Sequence, residues 1–207
     1  MLICKFKVLL QRALIMAAVL TSTGFAHSQV AVKTNLLYDA TTTPNLGVEV
    51  GVGSRSTVQV VYGLNPWTFH SAAHGDRKAK HWVLMPEWRH WFCSRFSGHF
   101  IGVHGMVGQF NAGNVDIPLP GGFVGGRNLA MLARNNRVEG GFVGCGFTYG
   151  YQWILSRHWN LEAEVGVGYD YSWYDRFNCG ECGRKTESNH TNYLGLTKLG
   201  LSLMYLF

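Results

Sequence analysis

The sequence NYLGLTKLGLSLMYLF, from Asn192 to Phe207, ends the chain on an aromatic residue and alternates with a period of two. One register of this stretch contains Phe207, Tyr205, Leu203, Leu201, Leu199 and Thr197. The other register contains Leu206, Met204, Ser202, Gly200 and Lys198. Because successive side chains of a strand point to opposite faces, the pattern predicts a strand with one apolar face. A terminal Phe with a Tyr two residues earlier is typical of a lipid-facing strand in an outer-membrane barrel.

Seven earlier segments show similar alternation and are predicted to be strands. In chain order they cover residues 30–38, 45–53, 57–66, 81–91, 99–111, 137–154 and 159–173. The gaps after the second, fourth and sixth segments are short, and those after the third, fifth and seventh are long. Short periplasmic turns and longer external loops alternate in this way in outer-membrane barrels. The sequence therefore predicts an all-β fold, an eight-stranded antiparallel transmembrane β-barrel. A secreted soluble barrel or sandwich is the alternative.

The first predicted strand assigns its side chains to two faces. Val32, Thr34, Leu36 and Tyr38 are expected to point outward, and Lys33, Asn35 and Leu37 inward. The same reasoning assigns Thr197 to the outward face of the last strand.

Residues 1–28 have the layout of a secretory signal peptide. Lys5, Lys7 and Arg12 precede an apolar run over 13–20, and small and polar residues follow it. Cleavage is predicted between Ser28 and Gln29, with cleavage after Ala26 as the alternative, which leaves residues 29–207 as a single barrel domain. An uncleaved anchor is a further alternative, although the run is shorter than the roughly 20 residues of a spanning helix.

Composition supports a barrel that faces lipid. The chain contains 26 Gly, 7 Trp, 9 Tyr and 12 Phe, and only 14% of its residues are charged. Few charges and many aromatic residues are typical of a barrel that faces lipid. After residue 28 the chain contains no basic block of the kind that binds nucleic acid, so no nucleic-acid partner is predicted.

Charged residues fall on the inward face of the predicted strands and are predicted to form a lumen charge network. The candidates are Lys33, Glu49, Glu87, Arg89, Glu162, Glu164, Asp170 and Lys198. Eight strands leave an interior just wide enough for side chains, and unpaired charges there are costly. We therefore expect a salt-bridged plug, with Lys198 facing Glu162 or Glu164. A proton or ion path, or a carboxylate pair for acid–base chemistry, is the alternative.

Cys179 and Cys182 form a C-x-x-C in the last external loop and are predicted to form a disulfide, because an exported protein meets oxidising conditions. Reduced thiols and metal capture are the alternatives. His70, His74 and His81 lie near Ser71 and Asp76, which are residue types that a lipid-modifying enzyme could use. Their spacing is not diagnostic, so no catalytic residue, cofactor or metal site is predicted.

Several phrases resemble the domain-of-unknown-function family 3575. They are KTNLLYDATTTPNLGVEVG at 33–51, MPEWRHWF at 85–92, GHFIGVHGMVGQFNAG at 98–113, GYQWILSRHWNLEAEVGVGY at 150–169 and CGECG at 179–183. The resemblance covers nearly all of the chain after the signal peptide. It implies a small barrel in the outer membrane of a Gram-negative, Bacteroidetes-type bacterium, sometimes associated with surface fimbriae. It supplies no activity and no catalytic residue.

The resulting expectation is a structural or partner-binding barrel rather than an enzyme. External loops at 112–136 and 174–191 are expected to contact a surface protein or a glycan, as an accessory to surface fimbriae or envelope assembly. The barrel itself is expected to contact outer-membrane lipid. Tyr205 and Phe207 are expected to be recognised by the barrel-assembly machinery. A lipid-modifying enzyme and a narrow channel are the alternatives.

Overall fold

The computed structural model describes residues 29–69, 77–113, 137–177 and 185–207. These ranges contain nine strands and one short helix, α1 (Leu36–Ala40). The strands are β1 (Val30–Asn35), β2 (Asn45–Gly51), β3 (Ser56–Asn65), β4 (Thr68–Phe69), β5 (Arg77–Trp91), β6 (Gly98–Gly113), β7 (Arg137–Ile154), β8 (Trp159–Phe177) and β9 (Lys185–Leu206). In this part of the chain, no helix is both long enough and apolar enough to cross a membrane.

Eight of the strands form one closed antiparallel ring. The order is β3-β2-β1-β9-β8-β7-β6-β5, and β3 also pairs with β5, while β4 adds two residues to β5. The prediction of an all-β fold with eight antiparallel strands is confirmed. The strands are staggered around the ring. Ala31 of β1 pairs directly with Leu206 of β9. When the paired residues are followed from Ala31 in the other direction, through β2, β3, β5, β6, β7 and β8, they reach β9 at Gly195 instead. Such stagger accompanies tilted strands in a closed barrel.

The two ends of the ring differ. At one end, which we term the turn end, residues 52–55, 92–97 and 155–158 make the short connections. The opposite end is termed the loop end. Strand length rises around the ring from 6 residues in β1, 7 in β2 and 10 in β3 to 15 in β5, 19 in β8 and 22 in β9. The wall formed by β5 to β9 therefore extends farther toward the loop end than the wall formed by β1 to β3.

The first strand is shorter than predicted, because Asn35 ends it and begins α1. The Asn35 side chain accepts a hydrogen bond from the Leu37 backbone N–H at 3.1 Å, which is the geometry of a helix N-cap. The prediction of a strand through Tyr38 was wrong. Tyr38 does not point outward but packs with Val61 and Val83 inside the ring.

Three other strands extend four residues or more beyond their predicted bounds at the loop end, and β6 extends two. β5 begins at Arg77, β8 continues to Phe177 and β9 begins at Lys185, all within segments predicted to be loops. These segments contain polar residues in both registers, so they show no apolar alternation from which a strand could be recognised.

A bulge in β9 changes the facing of one residue. Gly166 pairs with Lys198 while Val167 pairs with Leu196, which leaves Thr197 as the additional residue. The Thr197 hydroxyl lies 3.0 Å from Nε2 of the buried His104. The prediction that Thr197 points outward was therefore wrong.

Candidate functional site

The ring buries polar side chains and exposes apolar ones. Most of the charged residues predicted to face inward are buried, including Glu49, Arg89 and Glu162, each at 0% exposure. The outward positions of the same strands hold large apolar side chains that are 37% exposed or more, including Val58, Val103, Phe147, Val167 and Leu199. A water-soluble domain has the opposite distribution, because apolar burial is its main source of stability. The interior and the outer face are therefore the two candidate sites.

Arg89 occupies the centre of the interior. Its Nη1 lies 2.7 Å from Glu162 Oε2 and 3.0 Å from Glu49 Oε2. Its Nη2 lies 2.6 Å from Glu164 Oε2 and 3.1 Å from Glu162 Oε1. One planar guanidinium thus binds carboxylates from two different parts of the ring, which a lysine ammonium could not do with the same fork geometry.

Two lysines complete the ion pairs on either side of Arg89. Lys33 Nζ lies 2.8 Å from Glu162 Oε1 and 3.3 Å from Glu49 Oε2. Lys198 Nζ lies 2.9 Å from Glu164 Oε2 and also donates to Glu87. We term Lys33, Glu49, Glu87, Arg89, Glu162, Glu164 and Lys198 the charge layer. The layer connects four carboxylates and three cations from five strands.

Uncharged polar groups bind the outer oxygens of the charge layer. Thr57 donates to Glu49 Oε1 at 2.6 Å, and the Trp91 indole donates to the Thr57 hydroxyl at 3.0 Å. Gln59 donates to Glu87. Buried carboxylates are tolerated when such donors satisfy their remaining lone pairs. Thr57 was not among the residues predicted for the site, and no sequence signal beyond its alternate-residue spacing from Gln59 identifies it.

Glycines leave room for the long charged side chains. A Cβ atom on Gly200 would lie 2.8 Å from Cγ of Glu164, and one on Gly47 would lie 2.9 Å from Cγ of Lys33. Real Cβ atoms essentially never approach that closely. A larger residue at Gly200 or Gly47 would therefore displace Glu164 or Lys33.

Apolar side chains fill the interior on both sides of the charge layer. On the turn-end side they are Ala31, Trp91, Phe96, Phe100 and Met204. On the loop-end side they are Tyr38, Val61, Val83, Met85, Met106 and Phe142. The Arg89 guanidinium carbon lies 4.3 Å from the centre of the Phe100 ring, so the charge layer packs directly on the turn-end apolar layer.

Among the described residues, the space left beside the charge layer is small. A cavity of about 10 Å³ lies between Tyr38, Glu164 and Lys198. That volume holds about one water molecule. Within the described ranges, the interior at the charge layer is filled by side chains rather than by a solvent path.

Asp170 does not join the charge layer. It lies nearer the loop end, where its Oδ2 accepts a hydrogen bond from Ser172 at 3.3 Å. The interior position next to the layer is occupied instead by His104, whose ring nitrogens lie 2.8 Å from the Thr148 hydroxyl and 3.0 Å from that of Thr197. The structure thus brings together seven of the eight residues predicted for the lumen network.

The structure describes only part of the remaining residues that the sequence singled out. Cys179, Cys182, His70, Ser71, His74 and Asp76 lie outside the described residues. Cys93 and Cys145 are free and exposed, and His81 Nδ1 lies 3.0 Å from the Ala79 carbonyl. Among the described residues, no three His, Cys, Asp or Glu side chains are placed to hold a metal ion.

The C-terminal aromatic residues lie at the turn end. The Phe207 backbone N–H donates to the Val30 carbonyl at 3.0 Å, while the residue is 74% exposed. The Tyr205 ring packs edge-on against Trp159 and Phe207, with ring centres 5.1 Å and 4.9 Å apart. The exposed Trp159 and Phe207 rings and the half-buried Tyr205 ring form part of the outer face.

Comparison with known proteins gives a family but no characterised relative. No curated protein matches the chain. The family model described as "Protein of unknown function (DUF3575)" matches residues 13–207. The match includes every strand of the ring, the charge layer and the C-terminal aromatic residues. The chain therefore belongs to the DUF3575 family of proteins of unknown function.

Proposed function

We propose that this protein is an outer-membrane β-barrel with a solid interior, whose loop end binds a partner at the cell surface. The observation that supports this most directly is the inverted distribution of side chains. Large apolar residues cover the outer face of the ring, and charged residues are buried inside it. In lipid this arrangement is favourable, and a closed ring also satisfies the strand backbones internally.

Aromatic side chains near both ends of the apolar outer face support the membrane location. Tyr62, Trp82, Tyr171 and Trp173 lie toward the loop end, and Trp153, Trp159, Tyr205 and Phe207 toward the turn end. Tyr and Trp concentrate at the two membrane–water interfaces. In this proposal the turn end is periplasmic, the loop end is external and a signal peptide at residues 1–28 directs export.

The unequal wall supports a binding role for the loop end. A transmembrane strand needs about 9–11 residues. Strands β7, β8 and β9 contain 18, 19 and 22 residues, so they extend well beyond the membrane. They would display the external loops away from the lipid, where a surface protein or a glycan could bind.

The filled interior favours a barrel that does not conduct. An ion would have to cross two apolar layers and disrupt the buried ion pairs between them. Moving a charge through such a layer is costly, because no solvent compensates it. Planar-bilayer recordings of the purified protein should therefore show no single-channel steps, and regular conductance steps would contradict the solid interior.

The membrane location is tested by expression of the full chain in a Gram-negative host. We expect the protein in the outer-membrane fraction, resistant to carbonate extraction and faster on a gel before boiling than after. A soluble protein that is monomeric without detergent would contradict the proposal.

The binding role is tested by photo-crosslinking in living cells. A photoreactive residue at the exposed loop-end position Asn189 should capture a discrete surface component. The same residue at the exposed turn-end position Arg157 is the matched control. Equal labelling at both positions would contradict a binding role that is specific to the loop end.

A further inference from the structure

We propose that a pocket at the loop-end border of the apolar outer face binds the uncharged sugar headgroup of a glycolipid. The pocket has a volume of about 710 Å³. It is separate from the charge layer and is lined by residues of β3, β5, β6, β7 and β8. The proposal rests on the proposed membrane location, because a glycolipid reaches the pocket only if the outer face is embedded.

The strand register places two tryptophans on either side of the pocket. Trp82 pairs with Gln109, Gln109 with Gly141, and Gly141 with Trp173. The Trp82 indole donates to the Gln109 side-chain oxygen at 3.1 Å. A Cβ atom on Gly141 would lie 2.6 Å from Cζ2 of Trp173, so the Trp173 ring lies over the glycine. The Gln109 side chain therefore lies between the two indole rings, and the Trp173 ring covers the glycine next to it.

Polar side chains form the next row toward the loop end. Lys80 pairs with Asn111, Asn111 with Glu139, and Glu139 with Asp175. Glu139 binds Arg137 at 3.1 Å and lies 3.4 Å from the Asn111 amide. Amides, carboxylates and ammonium groups together offer both donors and acceptors, which is the chemistry that hydroxyl groups require.

The two tryptophan side chains and the charges of the pocket indicate what kind of headgroup fits. A pyranose has apolar C–H faces that stack on aromatic rings and hydroxyl groups that hydrogen-bond at its edge. Among the described residues that line the pocket, two are carboxylates, Glu139 and Asp175, and one is a cation, Lys80, so these side chains carry no excess positive charge. Arg137, outside this lining, pairs with Glu139. A phosphorylated headgroup would face both carboxylates. The balance therefore favours an uncharged sugar.

The surface below the pocket indicates a lipid rather than a free sugar. The next row toward the turn end is apolar and consists of Leu84, Val107, Val143 and Tyr171. Val107, Val143 and Tyr171 are exposed on the outer face. A molecule with its sugar between the tryptophans would place acyl chains along this row. Burial of acyl carbon against the row adds binding energy that a free sugar lacks.

The test measures binding of a neutral glycolipid to the full-length barrel after export and detergent extraction. The probe is a diglycosyl diacylglycerol, and the readout is the retained lipid in native mass spectrometry at increasing lipid concentration. Trp173→Ala and Glu139→Gln are each expected to weaken binding roughly tenfold, which corresponds to about 1.4 kcal/mol. Trp153→Ala is the matched control, because Trp153 is 44% exposed at the turn end and Trp173 is 46% exposed.

Three outcomes would overturn the proposal. The first is equal binding to the Trp173→Ala, Glu139→Gln and Trp153→Ala proteins. The second is binding of the free disaccharide as tight as binding of the glycolipid, which would indicate a soluble glycan. The third is tighter binding of a phosphorylated glycolipid. Folded variants are identified by their faster gel mobility before boiling. If Trp173→Ala does not fold, the comparison of Glu139→Gln with Trp153→Ala still tests the proposal.

Failure of this inference is distinguishable from failure of the proposed function. A barrel that fractionates with the outer membrane but shows no difference among the three variants contradicts the glycolipid site alone. A barrel that never enters a membrane contradicts the proposed function itself.

Discussion

Arg89 and Glu162 bind each other through two parallel contacts in the middle of the ring. Nη1 lies 2.7 Å from Oε2 and Nη2 lies 3.1 Å from Oε1. Both side chains are completely buried. A bidentate pair of this kind is among the strongest charged contacts in proteins, and burial makes the loss of either partner costly.

Replacement of Arg89 by Met is expected to destabilise the barrel strongly. Glu49, Glu162 and Glu164 would each lose a cation, while the lysines could not supply the missing contacts. Removal of one partner from a buried ion pair costs about 3–5 kcal/mol. The measurement is the free energy of unfolding in urea, in detergent or lipid vesicles.

Arg137→Met is the matched control for that experiment. Arg137 and Glu139 form an ion pair whose side chains are 42% and 51% exposed. Exposed pairs contribute about 0–1 kcal/mol, so this variant should unfold nearly as the unmodified protein does. Equal destabilisation by the two substitutions would contradict the central role of Arg89.

Lys198→Met should lower stability without making the barrel conduct. The substitution leaves Glu87 and Glu164 without the ammonium that contacts both. The apolar layers on either side remain in place. Urea unfolding should therefore shift to lower concentration, while planar-bilayer recordings stay silent.

A second substitution tests the cause of that loss. The double variant Lys198→Met with Glu87→Gln removes the cation and one of the carboxylates that it contacts. It should recover part of the lost stability, because the Glu87 carboxylate, which would be buried without its lysine partner, is no longer present. A double variant less stable than Lys198→Met alone would contradict this explanation.

Gly150→Ala is expected to destabilise the turn end of the interior. A Cβ atom there would lie 2.6 Å from Cε1 of Phe100 and 2.8 Å from the Ala163 carbonyl oxygen. Overpacking of this kind costs about 1–3 kcal/mol. Thermal loss of the fast-migrating gel form should occur at lower temperature.

Gly105→Ala is the control for Gly150→Ala. Its added Cβ would meet nothing closer than Pro86 at 3.7 Å, an ordinary contact distance. This variant should lose its fast-migrating form at the temperature of the unmodified protein. The same loss of stability in both variants would show that strand glycine itself, rather than the space near Phe100, is responsible.

Deletion of Phe207 should impair insertion into the outer membrane. The residue is 74% exposed, and its backbone N–H binds Val30 across the junction of the first and last strands. Phe92→Ala is the control, since Phe92 is a 50% exposed aromatic residue near the turn end. A deletion variant that inserts to the same level as Phe92→Ala would refute the assembly role.

The sequence predicted the faces of a strand wherever its alternation is uninterrupted. In β8, Glu162 and Glu164 are buried while Val165 and Val167 are exposed, as their registers indicated. This succeeds because one face meets polar partners inside the ring and the other remains apolar. In an uninterrupted strand, a charged residue therefore indicates the inward face and a large apolar residue indicates the outward face.

Prediction failed where the backbone leaves the two-residue period. Asn35 caps a helix, so Tyr38 turns into the interior, and the bulge in β9 turns Thr197 inward. The residues on either side of the helix cap and of the bulge continue to alternate in the sequence. The alternation therefore gave no sign of either change. Asp170 shares the inward register of β8 with Glu162 and Glu164, but it lies too far toward the loop end to reach the charge layer. The stagger of the strands determines which inward residues lie at the same height in the barrel, and the alternation does not reveal the stagger.

The shortness of β1 has a consequence for how the barrel closes. The pairing between β1 and β9 extends only from Ala31–Leu206 to Asn35–Ser202, whereas β9 pairs with β8 along nearly its entire length. The contacts between the first and last strands are also the most distant in sequence, so their loop-closure entropy is the largest. A folding chain can therefore establish the long β7–β8–β9 meander first and complete the ring in one late step that requires few backbone pairs. The barrier to ring closure is then the loop-closure entropy of aligning the short β1 with β9. Formation of the few hydrogen bonds between these two strands adds little to it.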